Sequence, residues 1–232
     1  MSESMADRLA RVEERIAAAC VRGGRARDTV TLVAVSKTQP PDVVAEAAAL
    51  GLRVFGENKV QEARAKIPEC PGHLAWHLVG HLQSNKARLA AELFEVIHSV
   101  DSEKLVRILN EAADEAGRTL RILLEVNVSG EASKFGLAPE AVPGVLEAAN
   151  ACPRLQVAGL MAMAPFAPEA EKARPHFARL RALRDRWAAE TGTPLEELSM
   201  GMSGDFEVAI EEGATMVRIG TLLFGERKAV VA

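Results

Sequence analysis

Lys37 closes an apolar run, Val30-Thr-Leu-Val-Ala-Val-Ser36-Lys37, and Thr38-Gln39-Pro40-Pro41 follows it. The β-branched and aliphatic residues predict a buried strand that the proline pair stops. An ammonium held where a buried strand emerges is costly to desolvate, so its pKa is expected to fall toward neutrality. A neutral amine there is a nucleophile, and its usual product with a carbonyl is a Schiff base. The alternative is a strand-end lysine whose stem covers apolar surface while its head reaches solvent.

Two later turns could hold an anion. Met200-Gly-Met-Ser-Gly-Asp205 leads into a predicted helix, and Arg218-Ile-Gly-Thr221 ends an apolar segment. Ser203, Gly204, Gly220 and Thr221 supply hydroxyls and closely approachable amides, so these turns either bind phosphate or only reverse the chain. Arg218 alternates with Val217 and Ile219 and so points to the other side of its strand. A guanidinium there meets a carboxylate, a phosphate or a ring nitrogen, which its permanent charge would keep unprotonated. A structural salt bridge is the alternative.

Other polar residues carry less. Glu57-Asn58 either bonds a ligand or caps the next helix. His73, His77 and His81 have helical spacing, but Trp76-His-Leu-Val-Gly80 predicts a strand, where their side chains do not converge. No metal site is expected, and His98 and His176 add nothing to one. Cys20, Cys70 and Cys152 are far apart, with no CxxC spacing and no nearby histidine constellation, which fits reduced thiols.

The elements that must position these residues alternate along the chain. Strands are predicted at 30–36, 53–55, 76–79, 96–99, 121–128, 156–161, 197–200 and 216–219. An amphipathic helix is expected from about Ser4 to Arg22. Others follow at 43–50, 103–116, 139–151, 168–190 and 206–212, with caps such as Ser102 and Gly117. Eight strands alternating with helices predict an α/β fold with a parallel sheet, and 232 residues suit a single (β/α)8 TIM barrel. No linker or composition shift divides the chain. Residues 1–232 are therefore expected to form one domain, with 1–24 as an extra N-terminal helix packed on the barrel. The residues just after each strand then share one mouth, which brings Lys37, Asn58, Ser203, Gly204, Arg218, Gly220 and Thr221 together.

Composition narrows the function classes. Apolar content of 48%, 26% charged residues and a net charge of −4 suit a soluble globular protein, without the basic character of a nucleic-acid or membrane binder. The polar start, Met1-Ser-Glu-Ser-Met-Ala-Asp-Arg8, does not resemble a signal peptide, and no apolar run is long enough to span a membrane. A cytoplasmic location is expected. The chain has no tyrosine.

Several segments together resemble one family. They are Val33-Ala-Val-Ser-Lys37, Phe55-Gly-Glu-Asn58, Trp76 to Lys86, His98-Ser-Val-Asp101, Val126 to Leu137, Gly159-Leu-Met-Ala-Met163, Ser199 to Asp205, Val217 to Thr221 and Phe224-Gly-Glu-Arg227. In order and over nearly the whole chain, they are similar to the pyridoxal phosphate homeostasis protein family, also called the proline synthetase co-transcribed protein family. The resemblance implies a fold-type III barrel like the alanine racemase N-terminal domain, with pyridoxal 5′-phosphate (PLP) as cofactor. It implies that Lys37 holds the cofactor as a Schiff base and that Ser203, Gly204, Gly220 and Thr221 hold its phosphate. Arg218 would face the pyridine nitrogen, and Asn58 would lie near the ring. Lys59 stands where the family often has tyrosine, so no stacking or hydroxyl role carries over to it. Lys134 is another candidate acceptor of PLP.

An arginine against the pyridine nitrogen leaves the ring a poorer electron sink. Racemases of this fold also use a tyrosine as second acid/base and carry a C-terminal β-domain. The expectation is therefore a PLP protein that stores, buffers or delivers the cofactor, with no catalytic residues assigned. Transient handover to apo PLP-dependent enzymes is its implied partnership, and a monomer its expected state. Two alternatives stay open: a weak PLP-dependent amino-acid racemase or lyase, and a cofactor-free Schiff-base aldolase.

Overall fold

The computed structural model describes residues 3–131 and 135–225. Among them, eight parallel strands close into a barrel in sequence order, with β1 hydrogen-bonded to both β2 and β8. They are β1 (Thr31–Val35), β2 (Val54–Glu57), β3 (Ala75–Leu78), β4 (Val96–Val100), β5 (Leu120–Glu125), β6 (Leu155–Met161), β7 (Glu197–Met202) and β8 (Met216–Ile219). Helix α1 (Met5–Arg22) precedes them. A helix then follows each strand in turn: α2 (Pro41–Ala49), α3 (Val60–Lys66), α4 (Ala87–Leu93), α5 (Glu103–Glu115), α6 (Val142–Asn150), α7 (Arg174–Thr191), α8 (Phe206–Glu211) and α9 (Thr221–Phe224). This is the predicted TIM barrel, with the predicted extra helix in front.

Local chemistry explains most boundaries. Ser4 caps α1 in a reciprocal box with Asp7, and Ser102 caps α5 through the amide of Leu105. Helix α1 buries Met5, Val12, Ile16, Ala19 and Cys20, and Arg8 Nε donates to Leu223 O at 2.6 Å, tying the first helix to the last. Helix α7 starts at Arg174, later than the expected residue 168, because residues 170–173 form a single 3₁₀ turn. Strand β5 stops at Glu125, short of the expected residue 128. Beyond it Val126 pairs with Leu137, whose N–H donates to Glu125 O at 2.7 Å. The short helices α3, α4 and α9 fall outside the expected helix ranges.

The apolar core has two parts. The larger lies between strands and helices, built from residues such as Leu32, Phe55, Leu78, Ile97, Leu124, Phe177 and Trp187. The smaller is Val33, Val96, Leu123, Ala158, Met161 and Met216. Register places Val33 beside Arg218, Val96 beside His77, and Met216 beside Ser199. Neighbours in register share a face, so these polar residues lie on the same barrel face as the smaller cluster.

Candidate functional site

Lys37 follows β1 and Ser36, and a turn with unusual backbone comes after it. Thr38 has φ 66, in the left-handed region that a β-branched residue rarely enters. Its N–H donates to Glu62 Oε1, and Gln39 N–H donates to Ser36 O at 2.9 Å. Behind the turn lies a buried ionic cluster. Ser36 Oγ donates to Glu57 Oε1 at 2.7 Å. Lys66 Nζ donates to Ser36 O at 2.8 Å, to Glu57 Oε1 at 2.7 Å and to Glu62 Oε1 at 3.1 Å. Glu57 is wholly buried and Lys66 nearly so. Burial pushes the Glu57 carboxyl above its usual range, opposed by hydrogen bonds from Lys66 and Ser36. Its second oxygen has no partner among the described residues. Helix α3 carries Lys66 to this cluster, so the strand end bearing Lys37 is fixed by groups from β1, β2 and α3.

The mouth holds a cavity of about 270 Å³, lined by Lys37, Asn58, Ser203, Gly204, Arg218, Gly220 and Thr221. Val35, Val79, Met163 and Met202 complete the wall. All seven candidate residues from the sequence therefore border one space. An apolar wall with a few convergent polar groups is the usual make-up of a cofactor pocket. Asn58 does not cap α3, whose capping residue is Lys59 without a side-chain bond. The backbone at Asn58 instead lies against Gly80, where a Cβ would sit 2.4 Å from Asn58 O.

The two turns suit an anion. Asp205 Oδ1 accepts from Met202 N–H at 2.6 Å, which braces the 202–205 turn, and the Asp205 side chain makes no capping bond to α8. The amides of Ser203 and Gly204 make no hydrogen bond to a described residue. At Gly204 a Cβ would meet no protein atom within 4 Å, so neither packing nor a left-handed backbone demands glycine there. A bare backbone on the cavity wall lets a ligand come close.

Arg218 is 5% exposed and makes no ion-pair contact with a described residue, contrary to the salt-bridge alternative. Its Nη1 donates to Ser199 Oγ at 2.6 Å and its Nη2 to Ala162 O at 3.1 Å. Burial lowers its pKa to about 10, opposed by the charges of Glu125 and Asp205. Glu125 is pushed up to about 7 by burial and by Asp101, with Arg218 opposing. Ser199 Oγ is 2.8 Å from His98 Nδ1, and His98 Nε2 is 3.0 Å from His77 Nδ1. Sequence reasoning missed this chain and dismissed His98. The available signal was a polar residue inside each of three apolar strands.

The remaining candidates lie elsewhere. His81 Nδ1 lies 3.4 Å from Asp101 Oδ2, and its ring stacks on Phe135 with centroids 4.0 Å apart. Lys59 lines a neighbouring cavity of about 360 Å³ with Gln61, His81, Gln83 and Lys86, not the one containing Lys37. Lys134 and Arg227 lie outside the described residues. Among the described residues, no three His, Cys, Asp or Glu side chains cluster as metal ligands. No described helix is long and apolar enough to cross a membrane.

Comparison with known proteins places this architecture. The family model described as alanine racemase, N-terminal domain, matches residues 9–228. The pyridoxal phosphate homeostasis protein of Pseudomonas aeruginosa is 48% identical over 229 residues, covering 97% of this chain and 96% of that one. The structure of PipY from Synechococcus elongatus with PLP bound superposes with a TM-score of 0.84 at 39% identity, covering 96% of this chain and all of that one. Alanine racemase of Clostridium difficile shares the fold, with a TM-score of 0.70 at 15% identity over 87% of this chain and 53% of its own. The chain thus belongs to the pyridoxal phosphate homeostasis protein family, built on the alanine racemase N-terminal domain fold.

Proposed function

We propose that this chain binds pyridoxal 5′-phosphate and serves as a store and donor of it inside the cell, without robust catalytic turnover. The observation that carries this reading is the convergence of a strand-end amine, two amide-and-hydroxyl turns and a buried guanidinium on one cavity of about 270 Å³. Those donors fit an aldehyde, a phosphate and a pyridine nitrogen respectively. When bound, PLP supplies an electrophilic carbonyl and a conjugated ring that can delocalise charge. Lys37 Nζ is the nucleophile that would hold it covalently. Ser203, Gly204, Gly220 and Thr221 present hydroxyls and amides to its phosphate. Arg218 brings N–H donors and a fixed positive charge, which disfavours a proton on the ring nitrogen. Asn58, Val35, Val79 and Met163, which line the same cavity, would border its ring. The absence of tyrosine from the sequence removes the second acid/base that racemases of this fold use.

The test is spectroscopic. Protein loaded with PLP is expected to show a Schiff-base absorbance band, and borohydride should fix the adduct on Lys37 by mass mapping. Lys37→Ala should abolish the adduct. A protein that stays colourless with added PLP, or an adduct mapping mainly to another lysine, overturns the reading. In deuterated water, α-proton exchange on alanine should be negligible. Rapid, saturable exchange lost in Lys37→Ala would replace the carrier with an enzyme. We also propose that the barrel works as a monomeric, cytoplasmic single domain that hands PLP to apo-enzymes. Transfer to an apo-enzyme no faster than passive release would leave storage but remove directed handover.

A further inference from the structure

TIM-barrel interiors are ordinarily filled by layers of branched aliphatic side chains. Here four consecutive hydrogen-bonded polar groups share the barrel face with the apolar cluster: Arg218 on β8, Ser199 on β7, His98 on β4 and His77 on β3. All four are nearly or wholly buried. Their links are 2.6, 2.8 and 3.0 Å. The rings of His77 and His98 are tilted, with centroids 5.1 Å apart, so they meet edge to edge through nitrogen instead of stacking.

The proton inventory gives this chain a direction. Arginine has only donors, so Ser199 Oγ accepts from Nη1. The serine hydroxyl has one proton to give, and His98 Nδ1 is the acceptor within reach. His98 therefore carries its proton on Nε2 and donates it to His77 Nδ1. That makes His77 an Nε2–H tautomer as well. The reverse direction would leave the buried serine hydroxyl proton without an acceptor, which costs about 1–3 kcal/mol. Charged imidazoles are also disfavoured. Burial and Arg121 lower His77 to about 4. Burial, His77, Arg218 and Arg121 hold His98 well below its ordinary value.

From this geometry we infer that His98 and His77 are positioning residues for Arg218: they hold Ser199 as an acceptor and so fix which N–H bonds the guanidinium turns toward the cavity. With Nη1 on Ser199 and Nη2 on Ala162 O, the planar group is pinned along one edge. Its other donors remain for the cavity that Arg218 lines. The first part of this inference stands without any cofactor. The effect on PLP rests on the function proposed above.

Nitrogen-15 NMR of the protein without PLP tests the first part. Wild type should show His77 and His98 as neutral Nε2–H tautomers at pH 7, and Arg218 Nη signals resolved by hindered rotation. His98→Phe removes the acceptor while keeping an aromatic ring and should average those Arg218 signals. His98→Asn returns an oxygen near the Nδ1 position and should restore them. A charged ring, an Nδ1–H tautomer, or Arg218 signals still resolved in His98→Phe overturns the relay. Should His98→Phe not fold, His77→Phe provides the readout. There His98 loses its own acceptor and should populate both tautomers, and a single unchanged tautomer counts against the relay. With PLP loaded, His98→Phe should release it about tenfold faster and shift its absorbance, whereas His98→Asn should stay within about threefold of wild type. Unchanged release with averaged Arg218 signals would keep the relay but overturn its influence on the cofactor. If no variant or wild type takes up PLP, the proposed function fails while the NMR result stands alone.

Discussion

Lys37 and Arg218 border the same cavity, yet the polar groups behind them differ in kind. Behind Lys37 the cluster is ionic, with the Lys66 ammonium 2.7 Å from a Glu57 oxygen and 3.1 Å from one of Glu62. Behind Arg218 the hydrogen-bond acceptors are neutral: a serine hydroxyl and a backbone carbonyl, continued by two histidines. In the first cluster the Lys66 cation near Lys37 is paired with carboxylates, so its charge is largely offset before it reaches the cavity. In the second, no described carboxylate hydrogen-bonds the guanidinium, and Glu125 and Asp205 act on it only through their charge. Buried ion pairs lose their balance when one partner is removed, while a neutral relay loses only direction.

The largest break in this comparison should come from Lys66→Met. It leaves Glu57 buried without its cation and is expected to cost about 3–5 kcal/mol in denaturant unfolding. Adding Glu57→Gln should recover much of the loss. A single-variant cost below about 1 kcal/mol would mean that the cluster is not ionic.

The neutral relay should reveal itself through pH. The folded-state pKa of His77 lies at about 4 against an ordinary value of 6.5. Above pH 6.5 neither state binds the proton, so the stability is fully present there. Below it the unfolded chain takes up a proton that the fold refuses, and stability falls until about pH 4. The stability of wild type relative to His77→Phe should drop by about 3 kcal/mol across that window. A flat difference would show that His77 titrates normally. Glu125 works in the opposite sense. Its folded value of about 7 exceeds the ordinary 4.5, so its contribution is present below pH 4.5 and is lost as pH rises toward 7. Comparing wild type with a single histidine variant separates the two.

The smallest effect concerns the turn after Lys37. Thr38→Gly relieves the left-handed backbone, worth about 1–2 kcal/mol, but adds unfolded-state freedom, so a net gain of up to about 1 kcal/mol is expected. If the turn holds Lys37 in place, the same variant should release PLP faster despite its greater stability. Slower or unchanged release would detach the strain from the site.

Much of this was legible in the sequence because strand ends announce themselves. Lys37, the 200–205 turn and the 218–221 turn each follow an apolar run, and a barrel brings such ends together whatever their separation. The groups behind them were harder to see. His77, His98 and Ser199 are inconspicuous in their own strands, and only the closed register puts them in line. Lys66 was hidden for another reason. Helix α3 has only seven residues, too few for a clear period, so nothing in the segment pointed its single lysine at Glu57. Asn58 and Asp205 show a third limit, since both could have served as helix caps and neither side chain does.

The β1–β8 pairing has a consequence for how the molecule is made. Val33 lies beside Arg218 and Ala34 beside Ile219, so the cavity straddles the seam where the ends of the barrel meet. Lys37 emerges from the ribosome well before its facing wall, residues 202–221. Contacts this distant in sequence form slowly. A nascent chain therefore exposes Lys37 before its pocket exists, and the cavity of Lys37, Ser203, Gly204 and Thr221 forms only when the ring of strands has closed.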